Sequence, residues 1–145
     1  MTPDPDRQVR AVFDGCAAPV RAGLWHLRGI ILARAADLPE VGRVVEGMRW
    51  GQPTYLTPDT GAACSLRIGP VKGVGFGLLV HCQTGLIQAF IDGPGAGLRR
   101  DGNRGILFGA VEEVPEVTGV LIGWALRYHL ARWGGAVRPA NATAG

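Results

Sequence analysis

Two short segments of the sequence hold most of the side chains that could do chemistry. Residues 49–55 mix flat apolar area with hydrogen-bonding groups, a composition typical of a wall that orients a ligand. Residues 81–83 include a histidine, whose imidazole can transfer a proton or bind a metal near neutral pH. With an arginine on a predicted strand, these segments predict a ligand-binding site. Its members are Trp50, Gln52, Tyr55, Arg67, His81 and Gln83.

Alternation along two predicted strands places part of this set on one side of a sheet. In residues 74–82 one face is apolar and includes Cys82, so the other face carries His81 and Gln83. In residues 63–69 the same alternation leaves Arg67 on the polar side. Matching the apolar faces pairs Gly69 with Gly75, Arg67 with Gly77, and Ala63 with His81. The strand glycines predict either a shallow pocket or the close packing of another segment.

A structural interpretation of residues 49–55 also stays open. Gly51 permits the left-handed turn that ends a helix, and Pro53 prevents the helix from resuming. Trp50 and Tyr55 could be core aromatics rather than ligand contacts.

Other kinds of site have little support in the sequence. No histidine or cysteine has a second ligand at the spacing of a zinc site. Ser65 is the only serine, and it lies outside any G-x-S-x-G motif. Cys82 follows His81, but strand alternation would point the two side chains to opposite faces, which predicts that Cys82 is a core residue. We therefore expect a non-catalytic binding module, with an enzyme that uses His81 as a general base as one alternative.

The charge pattern limits the classes of binding partner that the sequence supports. The formal net charge is +3, too small an excess to indicate nucleic-acid binding. Three arginines, Arg99, Arg100 and Arg104, surround a predicted turn, but no aromatic stacking platform lies among them, so nucleic acid is not expected as a partner. The expected partner is a small polar or anionic molecule or another protein, and a homodimer is left open.

Length and cysteine content indicate the class of protein. A chain of 145 residues is long enough for one domain without disulfides, and three widely spaced cysteines fit a reducing compartment. The longest apolar run, residues 117–126, is about half of the ~20 residues that cross a bilayer. The N-terminus also lacks the features of a signal peptide. We therefore expect a cytoplasmic protein with no membrane segment, a single domain over residues 1–135 and a disordered tail over 136–145.

Hydrophobic periodicity predicts an α+β fold. Helices are expected over residues 6–17, over 19–36 and from Asp37 to a stop at Gly51. Strands are expected over 53–57, 63–69, 74–82 and 105–110, with a short helix over 84–91 and a final helix over 115–133. The predicted order is α-α-α-β-β-β-α-β-α, with an antiparallel sheet of about four strands against which the helices pack.

Three strings of residues occur in order along the chain. They are Glu46-x-x-Arg49-Trp50-Gly51-Gln52-Pro53-Thr54-Tyr55, His81-Cys82-Gln83-Thr84 and Gly102-Asn103-Arg104. Together they resemble the motif series of the YdhG-like bacterial domain family, which is largely of unknown function, and the similarity spans about residues 37–133. The resemblance implies helices packed on an antiparallel sheet, in some descriptions likened to frataxin. One branch is described as an intracellular iron chaperone, so the resemblance implies iron binding as a second alternative; no other cofactor is expected.

Overall fold

An antiparallel sheet of six strands forms the centre of the molecule. The structure is a computed structural model that describes residues 3–130 and the backbone of residues 132–133 and 136–137. The sheet order is β1-β2-β3-β4-β6-β5. The strands are β1 Val45–Arg49, β2 Gln52–Leu56, β3 Leu66–Val71, β4 Gly75–Leu79, β5 Arg100–Asp101 and β6 Gly105–Phe108. A separate two-stranded ribbon pairs β7 Arg132–Trp133 with β8 Ala136–Val137. Residues 138–145 of the predicted tail lie outside the described residues.

Within residues 3–130, four helices accompany the sheet, and local chemistry explains how the first two begin. They are α1 Arg7–Asp14, α2 Ala18–Ala36, α3 Leu86–Ile91 and α4 Thr118–Leu126. The Asp6 carboxylate caps α1 by accepting hydrogen bonds from the backbone N–H groups of Gln8 at 2.8 Å and Val9 at 3.3 Å. Pro19 lies in the first turn of α2, where a missing N–H costs nothing. Among the described helices, none combines the length and apolar character that crossing a bilayer requires.

One face of the sheet belongs to the core, and α2 packs directly on it. The fully buried side chains of this face include Tyr55, Ile68, Phe76 and Leu78. Gly23 lies where α2 meets β4, and a methyl group in place of its hydrogen would overlap the Phe76 ring. The glycine that weakens a helix in isolation is therefore what lets α2 approach the sheet.

The α+β class and the antiparallel sheet are confirmed, whereas the third predicted helix is wrong. Residues 39–41 form a single 3-10 turn, and Val45–Arg49 is strand β1, an edge of the sheet. The short apolar stripe that suggested a helix is compatible with a strand, and β2 follows after only two residues as an antiparallel partner. The element order is therefore α-α-β-β-β-β-α-β-β-α before the terminal ribbon, with six strands in the main sheet instead of about four.

The final helix is also shorter than predicted. It ends at Leu126, and the backbone N–H of His129 donates to the carbonyl of Ala62 at 2.8 Å. Because that N–H is bound to another part of the chain, the apolar sequence beyond Leu126 does not continue the helical hydrogen-bond pattern.

The register of β3 on β4 differs from the prediction by two residues. Arg67 pairs with Leu79, and Gly69 pairs with Gly77, because the connecting turn occupies only residues 72–74. A slip of two residues preserves the alternation, so every side chain keeps its predicted face. Arg67 therefore lies on the face opposite the core, which we call the Arg67 face.

Candidate functional site

A two-residue turn places Trp50 at the tip of the β1–β2 hairpin. Arg49 pairs with Gln52, and the intervening Trp50 and Gly51 have φ values of 52° and 73°, which identify a type I′ turn. Gly51 is thus left-handed as expected, but it serves a hairpin rather than a helix stop. Within the described part of the chain, Trp50 is the only residue other than glycine with a positive φ. Such a conformation costs about 1–2 kcal/mol.

Trp50 is also 72% exposed, so burial does not repay this strain. Its ring instead stacks on the Arg67 guanidinium, whose central carbon lies 5.2 Å from the ring centroid. Arg67 Nη1 donates a hydrogen bond to Gln52 Oε1 at 2.9 Å. Strands β2 and β3 and the hairpin tip therefore bring three of the six predicted site residues together: Trp50, Gln52 and Arg67.

The Arg67 guanidinium has no counter-charge among the described residues. No carboxylate of that part of the chain lies within 4.0 Å of it, and its buried Nε has no hydrogen-bond partner there. Partial burial lowers the pKa of this guanidinium, and the nearby charge of Arg104 lowers it further. A cation that is partly removed from water and left unpaired is a strong attractor for an anion.

A groove beside Arg67 has room for such an anion. It encloses a cavity of about 290 Å³ on the Arg67 face, which we call the Arg67 groove. Three cationic side chains, Arg67, Lys72 and Arg104, line it together with one carboxylate, Asp101. Asp101 is already paired, since its Oδ2 accepts from Arg104 Nη2 at 2.9 Å. The groove therefore carries an excess of two positive charges.

The strand glycines have different roles from one another. A methyl group at Gly75 would lie 2.5 Å from the Phe108 carbonyl oxygen, and one at Gly77 would lie 3.1 Å from Leu107 Cδ2. Close packing is thus the correct interpretation of both. At Gly69 the same methyl group would meet only Gln52, at 3.9 Å, so this glycine, which was not singled out as a gap, leaves space beside the groove.

Tyr55 does not belong to the Arg67 groove, contrary to the prediction. It is fully buried on the core face, and its hydroxyl donates to Glu46 Oε2 at 2.7 Å. Burial and the Glu46 carboxylate raise the pKa of this phenol well above its ordinary value. Glu46 also accepts from Arg28 Nε at 2.7 Å and from the Asp6 backbone N–H at 2.9 Å. The tyrosine is therefore part of a buried network that ties α2 to β1.

His81 and Gln83 lie in a second cavity of about 280 Å³, which we call the His81 cavity. Its wall also includes Ser65 and His129. His81 Nδ1 accepts a hydrogen bond from the Gln83 backbone N–H at 3.1 Å, so in the neutral imidazole Nε2 carries the hydrogen. The six predicted residues are consequently divided: three at the Arg67 groove, two at the His81 cavity and one in the core.

Of the three cysteines, Cys82 was predicted to be a core residue, and this prediction is wrong. Cys82 is exposed, not in the core, because the strand alternation ends at His81 and Cys82 begins a 3-10 turn. Cys64 is buried, and burial raises the pKa of its thiol to about 12. Cys16 is partly buried, and its Sγ donates to the Val12 carbonyl.

Comparison with known proteins gives no relative. No family model, no curated protein and no solved structure matches the chain. Within the described residues, no group of three or more His, Cys, Asp or Glu side chains could hold a metal ion.

Several groove and cavity residues escaped the sequence analysis. Lys72 lies in the β3–β4 turn, and Arg104 belonged to the arginine cluster that was considered as a nucleic-acid contact and set aside. Ser65 and His129 are far apart in sequence and meet only because the chain after α4 returns to residue 62. The alternation that placed Arg67 also places Ser65 on the same face, and this was the one available signal.

The strain at Trp50 leads to a prediction about stability. Trp50→Asn is expected to raise the free energy of unfolding by about 0.5–1 kcal/mol. Asn-Gly is the preferred type I′ sequence, and the relieved strain exceeds the lost stacking on Arg67, worth about 0.5–1 kcal/mol. Urea unfolding would measure the change. Trp50→Phe keeps both the ring and the strain and should give no gain; a loss of stability in Trp50→Asn would contradict the interpretation of the turn.

Proposed function

We propose that this chain is a binding module for a small anionic ligand, which it holds in the Arg67 groove. The observation that carries the proposal is the unpaired Arg67 guanidinium, partly buried beneath a strained and exposed tryptophan. The guanidinium presents a planar set of donors that suits a phosphate or carboxylate. Gln52 fixes its orientation, and Lys72 and Arg104 add positive charge to the groove wall.

Trp50 contributes the apolar part of the site. One side of its ring faces Arg67, and most of the remaining surface is exposed to solvent. Small-molecule sites commonly combine flat apolar area with a few fixed polar groups. Strain retained at a surface residue also indicates a role beyond folding, since an asparagine at this position would make a more stable hairpin.

The resemblance to the YdhG-like family remains a prediction, and it supplies no ligand. An acidic protein partner is a second candidate, favoured by the exposure of Trp50, because tryptophan and arginine are the residues most enriched at the energetic centres of protein interfaces. The small-molecule proposal is preferred because the polar groups converge on a groove of about 290 Å³ rather than on a flat surface.

Isothermal titration with inorganic phosphate tests the proposal. We expect one saturable site per chain whose affinity falls as salt concentration rises. Arg67→Gln should weaken phosphate binding by about 10-fold or more, because hydrogen bonds to a charged group contribute about 1.5–3 kcal/mol. Arg43→Gln is the matched control: it removes the same charge from an exposed arginine that is paired with Asp59. Absence of saturable binding, or equal effects of the two substitutions, would refute the proposal.

A second pair of variants separates shape from charge. Gly69→Val fills the space beside Gln52 without changing charge, whereas Gly47→Val adds the same side chain on β1, where a new Cβ has no neighbour within 4 Å. Neither glycine has a positive φ, so both substitutions suit a strand. Only the Gly69 variant should weaken phosphate binding.

A further inference from the structure

The His81 cavity begins where two strands of the Arg67 groove end: Ser65 precedes the first residue of β3, and His81 lies two residues after the last residue of β4. Arg67 pairs with Leu79 at the end of the β3–β4 ladder, and Ser65 and His81, two residues before Arg67 and two residues after Leu79, line the same cavity. The backbone of His81 is still extended, with φ −66° and ψ 135°, so the alternation of faces persists to this residue. Two residues along a strand span about 7 Å. The two cavities are therefore neighbours, with the His81 cavity just beyond the strand ends.

The charge of Arg67 also reaches the second cavity. Burial raises the pKa of the Cys64 thiol, the Arg67 guanidinium partly opposes that rise, and Cys64 lines the His81 cavity. Arg104, in the wall of the Arg67 groove, approaches from the other side, since its backbone carbonyl accepts from the Val80 N–H at 2.7 Å, one residue before His81. A ligand held at Arg67 would thus extend toward His81, just beyond the ends of β3 and β4.

The His81 cavity is lined by side chains that can form hydrogen bonds. Ser65 Oγ and the Gln83 side-chain amide have no partner in the described part of the chain, and His81 Nε2 points away from its own turn, which uses Nδ1. No lysine, arginine or carboxylate lines this cavity within the described residues. A hydroxyl, an amide and an imidazole are groups that both donate and accept, which suits the hydroxyl groups of a carbohydrate-like tail.

We infer that the ligand is a hydroxylated organic anion of the sugar phosphate class, with its anionic group at Arg67 and its hydroxyl groups at Ser65, His81 and Gln83. This inference rests on the proposed function, because the anionic end is held in the Arg67 groove. It goes further by naming the class of ligand and by assigning the second cavity to the same molecule. The Arg67 groove supplies attraction, and the His81 cavity supplies discrimination between anions of equal charge.

The test compares three probes by isothermal titration: inorganic phosphate, ribose 5-phosphate and free ribose. Ribose 5-phosphate should bind at least about 10-fold more tightly than inorganic phosphate, because it gains two or more hydrogen bonds. Free ribose should show no binding at the same concentrations. Ser65→Ala should weaken ribose 5-phosphate binding about 5-fold and leave phosphate binding within 2-fold.

His81→Asn provides the sharper variant. An asparagine oxygen can replace Nδ1 as acceptor for the Gln83 N–H, so the turn keeps its cap, while the Nε2 donor is removed. We expect His81→Asn to lower the affinity for ribose 5-phosphate and to leave the affinity for inorganic phosphate unchanged. Two results would overturn the inference and leave the proposed function standing. One is equal affinity of the wild type for phosphate and ribose 5-phosphate; the other is an equal loss of affinity for both probes in these two variants. If the binding of neither probe depends on Arg67, the inference and the proposed function are both overturned.

Discussion

Glu46→Leu is expected to lower the free energy of unfolding by about 3–5 kcal/mol, the cost of breaking a buried ion pair by removing one partner. The Arg28 and Glu46 side chains are only 3% and 10% exposed, and the Arg28 Nε to Glu46 Oε2 distance is 2.7 Å. Removing the carboxylate would leave a buried cation without compensation. It would also leave two further donors without an acceptor, the Tyr55 hydroxyl and the Asp6 backbone N–H.

Urea unfolding of three variants would check the cause of this loss. Glu46→Gln keeps an acceptor and should lose less than Glu46→Leu. The double variant with Arg28→Met and Glu46→Leu removes both charges and should recover most of the lost stability, since a well-packed apolar pair often matches a buried ion pair. A double variant as unstable as Glu46→Leu alone would show that the unpaired arginine is not the main penalty.

Gly23→Ala is expected to destabilise the protein by about 2–3 kcal/mol, although alanine is the better helix former. The added methyl group would overlap the ring of Phe76, which is fully buried and stacks with Phe108 at a centroid distance of 5.6 Å. Neither α2 nor the ring can move freely, because packed interiors have little spare volume. Relieving the overlap between the methyl group and the Phe76 ring therefore requires an unfavourable shift of α2 away from the sheet.

Gly29→Ala is the matched control on the same helix. An added Cβ at this position has no neighbour within 4 Å, so only helix propensity acts, and stability should rise by about 0.5–1 kcal/mol. The two substitutions are chemically identical and are expected to have opposite signs. Thermal or urea unfolding of both proteins would measure the difference. A stabilising Gly23→Ala would contradict the close approach of α2 to β4.

Both substitutions act on the core face, whereas Arg67 lies on the opposite face. Alternation along a strand separates the two faces completely, so side chains as close in sequence as Gln52 and Tyr55 have unrelated roles. For the same reason, folded Glu46 and Gly23 variants should retain phosphate binding near the wild-type affinity. Variants of the Arg67 groove should conversely change binding with smaller effects on stability.

The largest error of pattern-based prediction was residues 45–49, which were predicted as part of a helix and form strand β1. Residues 45–49 contain valine, glycine and methionine at spacings that fit either a short helix or an edge strand. The decision depends on the partner strand, and β2 becomes available only because residues 50–51 adopt two left-handed conformations. An isolated apolar stripe contains no information about that partner.

By itself, the sequence determined the α+β class, the α1, α2 and α3 helices, and the face on which Arg67 lies, because these depend on periodicities of 3.6 and 2 residues that no tertiary contact has to create. It also predicted a site that includes Trp50, Gln52 and Arg67, and these three side chains are in contact in the structure. Only the tertiary structure decided that Tyr55 belongs to the core and that His81 lines a cavity of its own. Those assignments depend on the sheet register and on which face α2 covers, and both are set by packing between segments distant in the chain.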